Sequence, residues 1–239
     1  MKLVAILSFW FIAAAADSSP DIQPIPNGIS GDGLTTRYWD CCAPSCAYYG
    51  FISTQNGIPD QTCQIDGETP STEENNAKSG CVEGGTAFTC SIQQPFVVNS
   101  TLAYGWTAAS FTGGVDTSKC CHCLLLSFKD QLAGKQMLVQ IVNTGSDLGE
   151  NQFDLQIPGG GVGIFNLGCM TQWNTGEDGW GRRYGGVSTI EECDTLPAVL
   201  QPGCRFRFEY MEGVDNPLVS FIEVKCPAEL VNISKCGDL

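Results

Sequence analysis

Histidine is almost absent from this chain: of its 239 residues only His122 carries an imidazole. A Ser-His-Asp or Cys-His triad therefore has to use His122, and a site built from several histidine ligands is excluded. Positive charge is scarce as well. Lys and Arg number 12 against 26 Asp and Glu, a formal net charge of -14. A phosphate backbone must be neutralised by Lys and Arg, so nucleic acid is disfavoured as a partner. Anionic polymers and anionic membrane surfaces are disfavoured on the same ground. Charged residues of either sign make up only 16% against 43% hydrophobic, too apolar a balance for a disordered chain. Beyond the first residues no run of ~20 apolar residues offers a membrane span.

The N-terminus points to the compartment. Lys2 precedes an apolar stretch, Leu3 to Ala16, broken only by Ser8 and followed by Asp17. Residues 1–16 read as a secretory signal peptide, and a secreted, extracellular protein is expected. Residues 17–31, with Pro20, Pro24, Pro26, Gly28 and Gly31, read as a flexible leader. No Ser/Thr/Pro-rich linker and no internal repeat divides residues 32–239, which read as a single domain. Without a separate surface-binding module in the chain, little avidity for a solid substrate is expected.

Cysteine is abundant where histidine is not: 14 residues, enough for seven disulfides. Zinc is the competing reading, but paired C-x-x-C knuckles are missing. The clusters Cys41-Cys42…Cys46 and Cys120-Cys121-His122-Cys123 suit bonds sent to different parts of a fold. Each bridge contributes roughly 2–4 kcal/mol, so this framework rivals core burial.

Glycine (28) and proline (12) leave few places for long helices. Short β-branched or aromatic runs predict strands at Leu124–Phe128, Met137–Val142, Gly161–Phe165, Arg205–Tyr210 and Val219–Val224. One helix is predicted over Ser188–Val199, with Ser188 as cap and Glu191 three residues on, shortened by Pro197. The fold class is mainly β, a barrel with large disulfide-tied loops and a few short helices.

Two segments carry acids in settings that suit chemistry. In Thr35-Thr36-Arg37-Tyr38-Trp39-Asp40-Cys41-Cys42, an aspartate stands against two aromatics and beside disulfide candidates. Asp40 there is either a turn cap among core aromatics or a functional carboxylate with an apolar wall. In the second segment Asp147, Glu150 and Asp154 precede Gly159-Gly160-Gly161. That glycine run has no Gly-Lys-Ser/Thr after it, so it serves close backbone approach or a turn, not phosphate.

Thr36-Arg37-Tyr38-Trp39-Asp40-Cys41-Cys42 followed by Cys46 resembles the active-site signature of family 45 glycoside hydrolases, the small secreted endoglucanases. Further segments agree in order, among them Asn151-Gln152-Phe153-Asp154, Arg183-Tyr184-Gly185-Gly186, Asp215-Asn216-Pro217 and Cys226-Pro227-Ala228-Glu229-Leu230. The resemblance implies a six-stranded double-psi β-barrel crossed by a groove, and inverting hydrolysis of internal β-1,4-glucosidic bonds. It implies Asp40 as general base, Asp154 as general acid and Asp147 as an assisting carboxylate. Thr36, Tyr38, Tyr48 and Gln152 are the expected substrate-binding residues, with a β-glucan as partner, no metal, no cofactor, and a monomeric chain. The bonds it implies are 41–169, 42–81, 46–120, 63–90, 121–236, 123–226 and 193–204.

Asp154 lies between Phe153 and Leu155, where an apolar surround raises a carboxyl pKa and holds its proton. Asp147 adds like-charge repulsion in the same direction. The chain departs from the family in two places. Gln152 stands where a histidine is common, and donates a hydrogen bond without carrying a proton. Tyr48 replaces a frequent tryptophan and offers a smaller face for a sugar ring. Xyloglucan and mixed-linkage glucan are alternative substrates. An expansin-like wall-binding protein is the non-catalytic alternative, disfavoured because Asp40 stands within its full motif.

Overall fold

The protein is described by a computed structural model over residues 20–52, 57–72 and 77–237. The expected signal peptide, 1–16, lies outside the described residues. The strands are β1 (Ser30–Tyr38), β2 (Thr62–Cys63), β3 (Phe88–Thr89), β4 (Phe96–Asn99), β5 (Leu102–Ser110), β6 (Cys123–Phe128), β7 (Gln136–Thr144), β8 (Gln152–Gln156) and β9 (Leu218–Val224). Three short helices join them: α1 (Leu167–Trp173), α2 (Gln201–Glu209) and α3 (Ala228–Ser234). The sheet runs β4-β5-β7-β6-β9-β1-β8, and β8 pairs back onto β5. Six strands thus close into a barrel, as expected. Its parallel pairs are β1–β8 and β5–β7; the other pairings are antiparallel.

Alternation explains the barrel. Leu124, Leu126 and Phe128 on β6, Met137, Val139 and Ile141 on β7, Phe153 and Leu155 on β8, and Val219 and Phe221 on β9 gather in one core. The intervening residues Leu125, Leu138 and Val142 join Tyr104 and Trp106 in a second core, covered by Leu230 of α3. Both faces of β5 are therefore buried throughout its length. Each such large side chain contributes roughly 1.5–3 kcal/mol by leaving water.

The seven disulfides have the pairings that the resemblance implied, and no described cysteine is free. Cys41–Cys169 and Cys42–Cys81 tie the segment after β1 to α1 and to the loop before β3.

Three local expectations are corrected. Arg205–Tyr210 is not a strand but the end of α2, with Pro202 in its first turn. Phe206 and Tyr210, four residues apart, face the barrel core on one side of that helix; a six-residue apolar window does not separate the two periods. Gly161–Phe165 is a loop, in which Gly161 and Gly163 take φ of 105° and 56°. The helix expected over Ser188–Val199 is only a 3-10 turn, Glu191–Thr195. There Glu192, not Glu191, accepts from the Ser188 backbone N–H at 2.5 Å, and the extended residue before Pro197 ends the turn.

Of the expected leader, 17–31, residues 20–31 are described and make contacts with the barrel. Ile25 donates its N–H to Glu223 O and Lys225 donates to Gln23 O, both at 2.9 Å. Ile22 packs against the second core, and Ser30 already belongs to β1. The prolines sit where an edge segment needs few donors, so they do not prevent docking.

Candidate active site

Strand register places Asp154. It lies on β8 opposite Thr36 of β1 on one side and Ala108 of β5 on the other. Phe153 and Leu155 are fully buried in the core, so alternation turns Asp154 to the opposite face of the strand. Thr36 Oγ1 donates to Asp154 Oδ1 at 2.6 Å, and Gln152 Nε2 donates to Thr36 Oγ1 at 2.9 Å. Gly149 N–H donates to Gln152 Oε1 at 2.8 Å, which leaves the amide's donor end for Thr36. Gln152 thus keeps the donor function expected of it.

Asp40 lies two residues beyond the end of β1. Trp39 N–H donates to Gly161 O at 2.8 Å, and Ile157 N–H donates to Tyr38 O at 3.0 Å. The glycine run allows this approach: a Cβ on Gly160 would stand 2.9 Å from Tyr38 N. It serves close backbone contact and also a turn, in which Gly160 N–H donates to Ile157 O at 2.9 Å, so both readings of the sequence hold. Cys41 then takes a left-handed φ of 64°, a conformation costing a non-glycine residue roughly 1–2 kcal/mol. Its disulfide to Cys169 and the neighbouring Cys42–Cys81 bond hold it there. Gly168 completes the clamp, since a Cβ there would stand 2.5 Å from Asp40 O. Asp40 Oδ1 accepts the Cys42 N–H at 2.9 Å.

Asp40, Asp154 and Asp147 line one cavity of about 180 Å³, together with Tyr38 and Phe165. A larger cavity of about 460 Å³ shares Tyr38, Asp147 and Asp154 with it and extends past Thr36, Gln152 and Tyr184. The two adjoin along these shared residues, so Asp147 and Asp154 face both cavities and Asp40 faces the smaller one. The Tyr38 hydroxyl donates to Gln156 Oε1 at 3.2 Å and accepts from Asn143 Nδ2 at 3.3 Å, which fixes its ring in the wall. Tyr48 is not among the residues lining these two cavities. Its hydroxyl donates to Ala77 O at 3.0 Å, and its ring packs against Ala43, Ala77 and Ala87.

The electrostatics differ from those of ordinary surface aspartates. Burial pushes Asp40 up to about 7; the Cys42 N–H opposes this, and the charges of Asp154 and Asp147 reinforce it. Burial likewise raises Asp154 to about 6, with the Thr36 hydroxyl and Arg37 opposing and Asp147 reinforcing. One proton shared between two such groups gives an acid and a base in one cavity near neutrality.

Sequence reasoning assigned no role to Arg37, Arg182, Arg183, Tyr184 or Asp215, which all line the larger cavity. Tyr184 and Phe165 are exposed large aromatic faces on the groove, at 68% and 53% of their surface. Arg37 stands inside the first motif, and the other segments except Arg182 belong to the matching stretches. The resemblance carried no role for them.

Residues 32–237 match the family model of glycosyl hydrolase family 45. The chain is 58% identical over 224 residues to an endoglucanase of Phaedon cochleariae, covering 94% of this chain and 91% of that protein. It is 47% identical over 217 residues to an endoglucanase of Cryptopygus antarcticus, covering 90% and 93%. The crystal structure of the cellulase from that Antarctic springtail superposes with a TM-score of 0.81 at 46% identity, covering 87% of this chain and 98% of the other.

Proposed function

The chain belongs to glycosyl hydrolase family 45 and is an endo-β-1,4-glucanase, and from that premise we propose the roles of its carboxyls. Asp154 is the general acid that protonates the leaving glycosidic oxygen. Asp40 is the general base that activates water on the opposite face of the sugar. Asp147 assists by keeping negative charge beside both. One observation carries the reading: Asp40 and Asp154 open onto the same cavity with pKa values raised to about 7 and about 6.

Inversion requires room between the carboxyls for a sugar and a water, roughly 6.5–9.5 Å. Bond cleavage then proceeds in one displacement. The acid's proton goes to the leaving oxygen, water's oxygen forms the new bond at the anomeric carbon, and water's proton goes to the base. Thr36 and Gln152 orient the acid through their hydrogen bonds, and the fixed ring of Tyr38 shapes the wall for a glucosyl unit. Seven disulfides and the sequence of residues 1–16 support secretion.

The higher value at Asp40 favours a second reading, in which the two carboxyls exchange roles. In the unliganded site Asp40 is the more desolvated of the two, and seating a sugar against Asp154 removes further water from the latter. Proton NMR of the first products from a soluble cello-oligosaccharide tests the reaction class. The α anomer is expected; a β anomer would contradict inversion.

A further inference from the structure

Asp60, just before β2, is 2% exposed and lines neither of the two cavities that hold the catalytic carboxyls. Its Oδ1 accepts from Gln93 Nε2 at 2.8 Å. Among the described residues no Lys, Arg or His pairs with it. Gln93 lies in the loop between β3 and β4, and its Nε2 also donates to Gln61 O at 3.2 Å. From Gln93 the hydrogen bonds continue toward the active site. Gln156 Nε2 donates to Gln93 O at 2.8 Å, and the Tyr38 hydroxyl donates to Gln156 Oε1 at 3.2 Å. Gln156 ends β8 two residues after Asp154 and is the register partner of Tyr38 on β1. Asp60 is thereby joined to a residue that lines both cavities.

Each link has one orientation. Asn143 Nδ2 donates to the Tyr38 oxygen at 3.3 Å, which leaves the phenolic proton for Gln156. Burial, with the charges of Asp40 and Asp154, raises the phenol well above its ordinary value and keeps that proton in place. Gln156 commits its amide nitrogen to Gln93 O, so its oxygen is the end that meets Tyr38. At the far end, Asp60 Oδ2 and Gln93 Oε1 are both buried without a partner. An ionised Asp60 only accepts, and leaves both atoms unmet at the cost of their desolvation. A neutral Asp60 carries a hydroxyl that gives Gln93 Oε1 its donor and closes an acid–amide pair. Burial favours that form by raising Asp60 well above the ordinary carboxylate range, with the Gln93 amide and the Gln61 N–H opposing.

We propose that Asp60, Gln93 and Gln156 are positioning residues for the hydrolysis: Asp60 locks Gln93, Gln93 orients the Gln156 amide, and Gln156 holds the Tyr38 ring where a glucosyl unit meets the wall. This role rests on the glucanase reading of Tyr38. A double-mutant cycle tests it, with kcat/KM on a soluble cello-oligosaccharide measured in the wild-type and Tyr38→Phe backgrounds.

Gln156→Leu lowers kcat/KM about three- to tenfold in the wild-type background, the scale of one net hydrogen bond. In Tyr38→Phe it changes little, because no hydroxyl remains to be held. Gln156→Asn, one methylene shorter and still an amide, shows the same dependence and serves where leucine disturbs folding. Asp60→Leu follows the pattern of Gln156→Leu, and Asp60→Asn, which offers Gln93 both an acceptor and a donor, recovers most of the loss. Equal losses in the two backgrounds would place the effect in the fold at large and overturn the positioning role. Asp60→Asn as impaired as Asp60→Leu would overturn the lock, and wild-type kcat/KM in Tyr38→Phe would show that the ring needs no holding; both leave the glucanase intact. Inactivity of the wild type on the oligosaccharide would overturn the glucanase reading itself.

Discussion

Thr36 and Asp154 are register partners on the parallel strands β1 and β8, and the threonine hydroxyl donates to Asp154 Oδ1 at 2.6 Å. The bond fixes the carboxyl's direction. It also favours the ionised form and so restrains the rise that burial imposes on Asp154. Thr36→Val keeps the shape and removes the donor. A loss of about tenfold or more in kcat/KM is expected, the scale of one hydrogen bond to a charged group. One limb of the pair's pH profile moves to higher pH, and Thr36→Ser restores both properties. A Thr36→Val profile that keeps its limbs and rate would show that the hydroxyl does neither.

The pH profile of kcat/KM follows from the two raised carboxyls. One must be protonated and the other ionised, so activity is bell-shaped with limbs set by values of about 6 and about 7. These limbs belong to the coupled pair, so the profile looks the same whichever residue holds the proton. The optimum falls on the slightly acid side of neutrality. Full activity retained down to the ordinary aspartate value of 3.8 would mean that burial does not act as described.

The same shifts make the site costly to the fold. Asp40 and Asp154 hold protons more tightly folded than unfolded, since 3.8 becomes about 7 and about 6. Their contribution to stability is therefore fully present below about pH 4 and is lost as pH rises through about 6 to 7. Asp40→Asn removes the ionisable group while its side-chain oxygen still accepts the Cys42 N–H. It is expected to stabilise the protein at pH 7 by on the order of 2 kcal/mol, and near pH 4 by almost nothing. Thermal melts at the two pH values measure this. Equal effects at both would remove the linkage.

The sequence made the chemistry more legible than the local backbone. Asp40 and Asp154 were singled out through the family resemblance of the segments that hold them; taken alone, the Asp40 segment read equally as a turn cap among core aromatics. The disulfide pairing followed from family resemblance, as spacing by itself leaves many connectivities open. The α2 segment misread as a strand because Phe206 and Tyr210 share a face only at helical spacing, and its short apolar run hides that period. Ile22 and Ile25 docked against β9 in spite of flanking prolines, since an edge segment needs few N–H donors. Asp215 escaped notice because its meaning arises from long-range assembly: Arg37 and Arg207 pair with it, at 2.9 and 2.8 Å, only when α2 packs beside the end of β1.

Leaving-group dependence tests the assignment of the two aspartates most directly. In Asp154→Asn no carboxylic acid protonates an alkoxide leaving group, so hydrolysis of an unactivated cello-oligosaccharide falls by at least ~10²–10⁴-fold. A cello-oligosaccharide carrying an acidic nitrophenol needs little protonation, so it recovers much of that loss. Asp40→Asn is impaired to a similar degree on both substrates, because water has lost its base in each case. Rescue of Asp154→Asn alone by the activated leaving group is the predicted result. Rescue of Asp40→Asn instead would reverse the acid and base, and near-wild-type rates for either variant would remove that residue from the mechanism.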